Sequence, residues 1–245
     1  MVHKRLNTYA SAFIAAGSTL LIIAIDGPAG SGKSTVAKQV ASCLSFHYLD
    51  TGAMYRACAY RALELGIDLS DEASLAAIAR NDSIGFGYQN GEVVPSRVSI
   101  AGEDVTDAIR TPQVDKAVSP VSAHLRVRTA LVEQQRAIAA RGDYVVEGRD
   151  IGTAVFPDAE LKVFVTADPQ ERARRRADQN IERGMTGDYD KIYEAIIARD
   201  KADTQREVSP LAAASDAVTI DTTDLDIDEV IEAIVVLARR EQGVR

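Results

Sequence analysis

The fold is decided by Leu20-Leu21-Ile22-Ile23-Ala24-Ile25-Asp26-Gly27-Pro28-Ala29-Gly30-Ser31-Gly32-Lys33-Ser34-Thr35. Leu20 to Ile25 is an apolar, β-prone run that reads as a buried strand. Residues 27–34 match G-x-x-x-x-G-K-[ST]. From Ser34 onward apolar side chains recur at Val36, Ala37, Val40, Ala41 and Leu44, the spacing of a helix. Strand, glycine loop and helix in that order form a phosphate loop. Gly27, Gly30 and Gly32 let the backbone wrap an anion closely. Backbone N–H groups of the loop then point inward, at the positive end of the helix that starts near Lys33. Lys33 brings a flexible point charge, and the Ser34 hydroxyl is placed to ligate Mg²⁺.

Upstream, His3, Lys4 and Arg5 precede an uncharged run that begins at Ala10 and merges into the strand. A basic start and apolar middle imitate a secretory signal. The run is broken by Ser11, Gly17, Ser18 and Thr19, so it is too short and too polar to span a bilayer. Its second half is the strand that feeds the loop and cannot be cleaved away. Residues 1–18 therefore read as a dispensable, poorly ordered extension, and residues 19–245 as the folded domain of a cytoplasmic chain with no membrane partner. The 245 residues include 36 acidic and 28 basic side chains, a net charge of −8. That balance excludes a dedicated nucleic-acid binder, and 46% hydrophobic residues exclude global disorder. Two cysteines, Cys43 and Cys58, cannot build a disulfide scaffold and read as reduced core thiols.

Downstream, helices are expected over 53–65, 127–140, 169–181, 192–203 and 227–240. Strands are expected over 144–146, 161–165 and 217–220. This alternation argues for a parallel sheet covered by helices. Residues 82–105 break it: Ile84, Phe86 and Tyr88, then Asn90-Gly91, then Val93, Val94, Val98 and Ile100 read as a β-hairpin inserted into the α/β pattern. Asp50-Thr51 has the form of a helix N-cap, with Tyr55 and Arg56 in the first turn. Arg110, Arg128, Arg149, Arg199 and Arg206 are scattered, whereas Arg172, Arg174, Arg175 and Arg176 are dense, with Arg183 nearby. A dense basic segment is often only a solvated helix face. In an acidic chain it also fits a mobile cover that neutralises oligophosphate and excludes water.

These motifs together resemble the bacterial-type cytidylate kinases, within the nucleoside monophosphate kinases. The resemblance runs from about Leu20 to the C-terminus. Beyond the phosphate loop it rests on residues 50–56 (DTGAMYR), 102–106 (GEDVT), 109–111 (IRT), 147–153 (EGRDIGT), 155–159 (VFPDA) and Arg199-Asp200. It implies a P-loop NTPase-type three-layer α/β fold with a five-stranded parallel sheet. It also implies a monophosphate-binding region with a small β-containing insertion at about 53–118, and a helical lid at about 172–190. ATP would sit on Gly27, Pro28, Ala29, Gly30, Ser31, Gly32, Lys33, Ser34 and Thr35, with Mg²⁺ on Ser34. CMP or dCMP would be held by Thr51, Tyr55, Arg56 and Arg110 on its phosphate side and by Ser119, Arg128 and Asp150 around cytosine. Asp203 and Arg206 would lie near its sugar and phosphate. Lys33, Arg149, Arg176 and Arg199 would act on the transferring group. The chain is expected to be a monomer acting on small molecules.

The base-reading trio makes chemical sense. Cytosine offers a donor amine at N4 and acceptors at N3 and O2. A carboxylate and a hydroxyl can accept from the amine, and an arginine can donate to the ring; uracil would set acceptor against carboxylate. For Asp150 a structural ion pair with Arg149 or Arg128, and for Ser119 a helix cap before Pro120, are alternative roles that can coexist with this one. The pattern departs from many relatives at Glu147, where they carry aspartate, at Ala202, where an arginine is common, and at Thr51 in place of serine. A phosphate loop alone is shared by many activities. A kinase for another small acceptor and a nucleotide-dependent switch without transferase activity are the two rival readings.

Overall fold

A computed structural model describes residues 20–182 and 184–243 of the chain. The proposed extension at 1–18 and Arg183 lie outside them. The main sheet comprises β1 (Ile22–Asp26), β2 (His47–Asp50), β6 (Tyr144–Gly148), β7 (Leu161–Thr166) and β8 (Val218–Asp221), parallel throughout, in the order β2-β6-β1-β7-β8. The five-stranded parallel sheet is as expected. The side-chain alternation of strands divides the interior into two cores. Ile23, Ile25, Tyr48, Val145, Val163 and Val165 face one side, where α1 (Lys33–Leu44) and α8 (Ile227–Gly243) cover them through Val36, Val40, Val230 and Ile234. Ala24, Leu49 and Val146 face the other, under α2 (Thr51–Glu64) and α5 (Leu125–Ala139).

The glycine loop leaves the central strand, β1. Gly27 has φ of 152°, and a Cβ there would stand 2.0 Å from the Val165 carbonyl oxygen, so only glycine fits between β1 and β7. At the far end of β6 a Cβ on Gly148 would stand 2.8 Å from Thr51 Oγ1 and 2.5 Å from Ile151. That close approach brings α2 and the turn after β6 together.

The insertion is a three-stranded antiparallel sheet of β3 (Ile84–Gly87), β4 (Arg97–Ile100) and β5 (Glu103–Asp104). It is not the tight Asn90-Gly91 hairpin expected. Ile84 pairs with Ile100 and Gly87 with Arg97, which leaves residues 88–96 as a connection. The Val93 carbonyl instead accepts from the Tyr48 N–H at 2.9 Å. The edge of β2 needs a partner for that amide, and the apolar Val93-Val94 pair answers it rather than extending β4. Two further helices, α3 (Glu72–Asn81) and α4 (Pro112–Ala123), complete this region, and α6 (Pro169–Glu182) and α7 (Tyr189–Gln205) form the arginine-bearing pair. Cys58 is buried, but Cys43 is exposed on α1, which corrects its reading as a core thiol.

Candidate functional site

The loop, the C-terminal ends of β2 and β6, and helices α2, α4, α5 and α7 bring most of the expected residues together through a chain of contacts. On the loop side, Lys33 is 5% exposed. Its ammonium donates to the Pro28 carbonyl at 3.1 Å and lies 3.9 Å from Glu147 Oε1. Burial, aided by the Arg149 charge, pulls its pKa down to about 7, while Glu147 opposes the shift. Ser34 donates to Glu147 Oε1 at 2.5 Å, and the Tyr48 hydroxyl donates to Oε2 at 2.5 Å. Ser31 Oγ is buried without a hydrogen-bond partner. A cationic loop with an orphan hydroxyl is ready for an anion. The donor set also fits Mg²⁺, which takes a hydroxyl and one or two carboxylates together with phosphate oxygens and water. Among the described residues no group of three His, Cys, Asp or Glu could hold a metal.

Asp50 caps α2, accepting from the Ala53 N–H at 3.0 Å, and Thr51 donates to the Glu147 carbonyl at 2.7 Å. Burial first, then the Glu147 charge, raises the Asp50 pKa. Tyr55 lies under the Arg128 guanidinium, 5.4 Å from ring centroid to Cζ, and its buried hydroxyl has no partner. Arg128 (3% exposed) and Asp150 (4% exposed) form a buried ion pair, and Arg206 stands 3.7 Å from the other Asp150 oxygen. The alternative structural role for Asp150, pairing with Arg128, is therefore met, and Arg149 is not its partner. Arg149 donates instead to Asp203 at 3.0 Å, with Arg199 4.0 Å from the same oxygen. Burial, then the Arg149 charge, lowers the Arg199 pKa to about 10.

Three expectations change. Ser119 lies within α4 rather than at a helix start; Thr111 is the cap, accepting from the Val114 N–H. The Ser119 carbonyl accepts from the Ser122 hydroxyl at 3.0 Å, and the Ser122 carbonyl accepts from Arg128 at 3.3 Å. Arg110 is exposed at the rim, where its charge acts on Asp50. The dense arginines do not act alike. Arg172 is a buried clamp that donates to Ala29 and Ala167 carbonyls and pairs with Asp200 through both terminal nitrogens. Arg175 is bonded to Thr222, and Arg174 to Glu171 and Asp178. Arg176 donates to Gln179 at 2.8 Å and lies 3.8 Å from Asp115 on α4.

Sequence reasoning passed over Asp26. Its two oxygens accept from the Ile151 and Gly152 N–H groups, each at 2.8 Å. The residue just before the loop thereby fixes the turn just after Asp150. Burial raises its pKa to about 6, above the ordinary 3.8. A carboxyl that holds its proton more tightly when folded is stabilising when protonated, and that contribution is lost as pH rises from about 4 through 6. Relative to Asp26→Asn, the wild-type chain should lose on the order of 3 kcal/mol of unfolding free energy between pH 4 and 7. Denaturant titrations across that range measure it. A pH-independent difference would show that the two N–H bonds fully offset burial.

A sheet in this order, with a glycine loop on its central strand and a lysine and serine facing a carboxylate on the neighbouring strand, defines the P-loop class of α/β proteins. The comparison with known proteins narrows the class. The family model described as cytidylate kinase matches residues 23–240, and the chain belongs to the cytidylate kinase family. The chain is 49% identical over 225 residues to the cytidylate kinase of Geobacillus kaustophilus, covering 90% of this chain and 97% of that protein. It is 51% identical over 215 residues to that of Bacillus licheniformis (87% and 94%). With that of Enterococcus faecalis it shares 52% over 213 residues (86% and 92%).

Proposed function

We propose that the chain transfers the γ-phosphate of ATP to CMP or dCMP, giving CDP or dCDP and ADP. The observation that carries this reading is the end of β6. Glu147 contacts Lys33 and Ser34 there, and three residues on, Asp150 pairs with Arg128. A triphosphate pocket and a pocket with a buried anion–cation pair thus share one wall. ATP lies on residues 27–35. Ser34, with Glu147 behind it, would hold Mg²⁺, which supplies charge neutralisation between the phosphates when bound. Thr51, Tyr55, Arg56 and Arg110 take the acceptor's phosphate side. Ser119, Arg128 and Asp150 read its base, and Asp203 and Arg206 flank its sugar.

The acceptor phosphate is already anionic near pH 7, so no strong general base is required. Lys33, Arg149, Arg176 and Arg199 do the work by positioning and by neutralising the equatorial oxygens. Residues 53–118 form the monophosphate-binding region and 172–190 the lid, whose closure excludes water as a competing acceptor. We read the protein as a cytoplasmic monomer acting on small molecules. No helix among the described residues is long and apolar enough to cross a membrane.

ADP release measured with CMP, dCMP, UMP, AMP and shikimate in turn tests this. Release with CMP and dCMP well above the others is expected. Equal rates without any acceptor would favour a nucleotide-dependent switch, and a preference for AMP or shikimate a kinase for another acceptor.

A further inference from the structure

Asp115 lies in the first turn of α4, where a carboxylate suits the helix dipole. The dipole does not account for where its oxygens point. Oδ1 accepts from Arg56 on α2, and Oδ2 lies 3.8 Å from Arg176 on α6. Its charge also acts on Arg199 of α7. One carboxylate therefore sits among arginines from three helices, and these are the cations assigned above to phosphate. Arg56 has one further tie, to the Ile109 carbonyl at 3.4 Å. The Asp115 side chain is 31% exposed and the Arg56 side chain 24%. The pair is therefore open to water and to an incoming anion.

We propose that Asp115 is an internal stand-in for the acceptor's phosphate, holding Arg56 and facing Arg176 until the nucleotide displaces it, and that it thereby sets the acceptor affinity. This rests on the function proposed above. A phosphate presents more charge and three oxygens to an arginine fork, against the two of a carboxylate, so it wins the exchange. Winning still requires breaking the existing pair. Affinity for a state that must first be vacated is reduced by the fraction in which it is vacant. Once displaced, the Asp115 carboxylate remains near the bound phosphate as a like charge.

Asp115→Asn keeps the shape and removes the charge, and Thr111 still caps the helix. The KM for CMP should fall about fivefold, the order set by a partly exposed ion pair, with kcat changed less than KM. Inorganic phosphate, as an inhibitor competitive with CMP, should bind more tightly by a similar factor. Asp115→Ala should behave alike, which covers the case in which the asparagine carbonyl still engages Arg56. If Asp115 instead orients Arg56 for the substrate, both variants raise the CMP KM, and the proposal is overturned. An unchanged KM and phosphate affinity, or variants that do not fold, overturn it equally. A wild-type enzyme that does not phosphorylate CMP at all would sink the proposed function. Wild-type activity with an unimproved variant sinks only the role of Asp115.

Discussion

Lys33→Ala is expected to lower turnover by three orders of magnitude or more while leaving the fold in place. The ammonium is buried, held between the Pro28 carbonyl and Glu147. Its burial carries a desolvation cost, visible in its pKa of about 7, and a phosphoryl group would supply counter-charge. Phosphoryl transfer asks the protein for charge neutralisation and little covalent chemistry. A single well-aimed cation is worth about 10³–10⁵ in such reactions, or at least ~4 kcal/mol at ~1.4 kcal/mol per factor of ten. The fold should survive because Glu147 keeps two donors, Ser34 and Tyr48, and α1 still packs through Val36, Ala37, Val40 and Ala41. ADP release at saturating ATP and CMP, with a thermal melt alongside, decides it. Turnover within tenfold of wild type would remove Lys33 from the reacting phosphate.

The loop was legible because each of its parts is local: an apolar run, glycines at fixed offsets, and a helical period after Lys33. The two-sided sheet was legible for a similar reason, since strands buried on both faces read as continuous apolar runs. Elements whose signal is non-local were not. β2 is four residues, His47–Asp50, and only its pairing with β6 makes it a strand. Helices α3 and α4 are a different case: their buried residues, Leu75, Ala76, Ile78 and Ala79 and then Val114, Ala117, Val118 and Val121, do recur at helical spacing, and only Pro120 inside α4 argues locally against a helix. The hairpin reading set the right runs against each other, Ile84 and Phe86 against Ile100 and Val98, but counted Val93-Val94 in the second strand, whereas the Val93 carbonyl serves the β2 edge.

The site divides in the same way. Residue types at motif positions gave Lys33, Arg128 and Asp150. Partnerships across the chain could not be read: Asp26 with Ile151 and Gly152 spans 125 and 126 positions, and Tyr48 with Glu147 spans 99. The arginine-dense helix shows why composition misleads. Residues three or four apart on one helix share a face, yet Arg172 and Arg176 meet different neighbours. Arg172 is drawn inward by Ala29 and Asp200, and Arg176 points toward Asp115.

Asp150→Ala is expected to raise the KM for CMP by about 10- to 100-fold and to narrow the preference for CMP over UMP. An unpaired buried polar group costs about 1–3 kcal/mol, more when charged. In the wild-type chain uracil O4 would face the Asp150 carboxylate, acceptor against acceptor. With that carboxylate removed, the penalty on uracil disappears together with the attraction for the cytosine amine, so the two substrates lose unequally. The variant also leaves Arg128 and the nearby Arg206 without their anion, and breaking a buried pair destabilises by about 3–5 kcal/mol. A raised KM alone could therefore reflect loosened packing. Asp150→Asn separates the causes. Its amide oxygen can still face Arg128 while its NH₂ donates toward O4 of uracil. That variant should improve UMP in absolute kcat/KM while weakening CMP, an inversion that general loosening does not produce. A CMP/UMP ratio unchanged in both variants would move base discrimination away from Asp150, and Arg128 with the Ser119 region of α4 would then have to carry it.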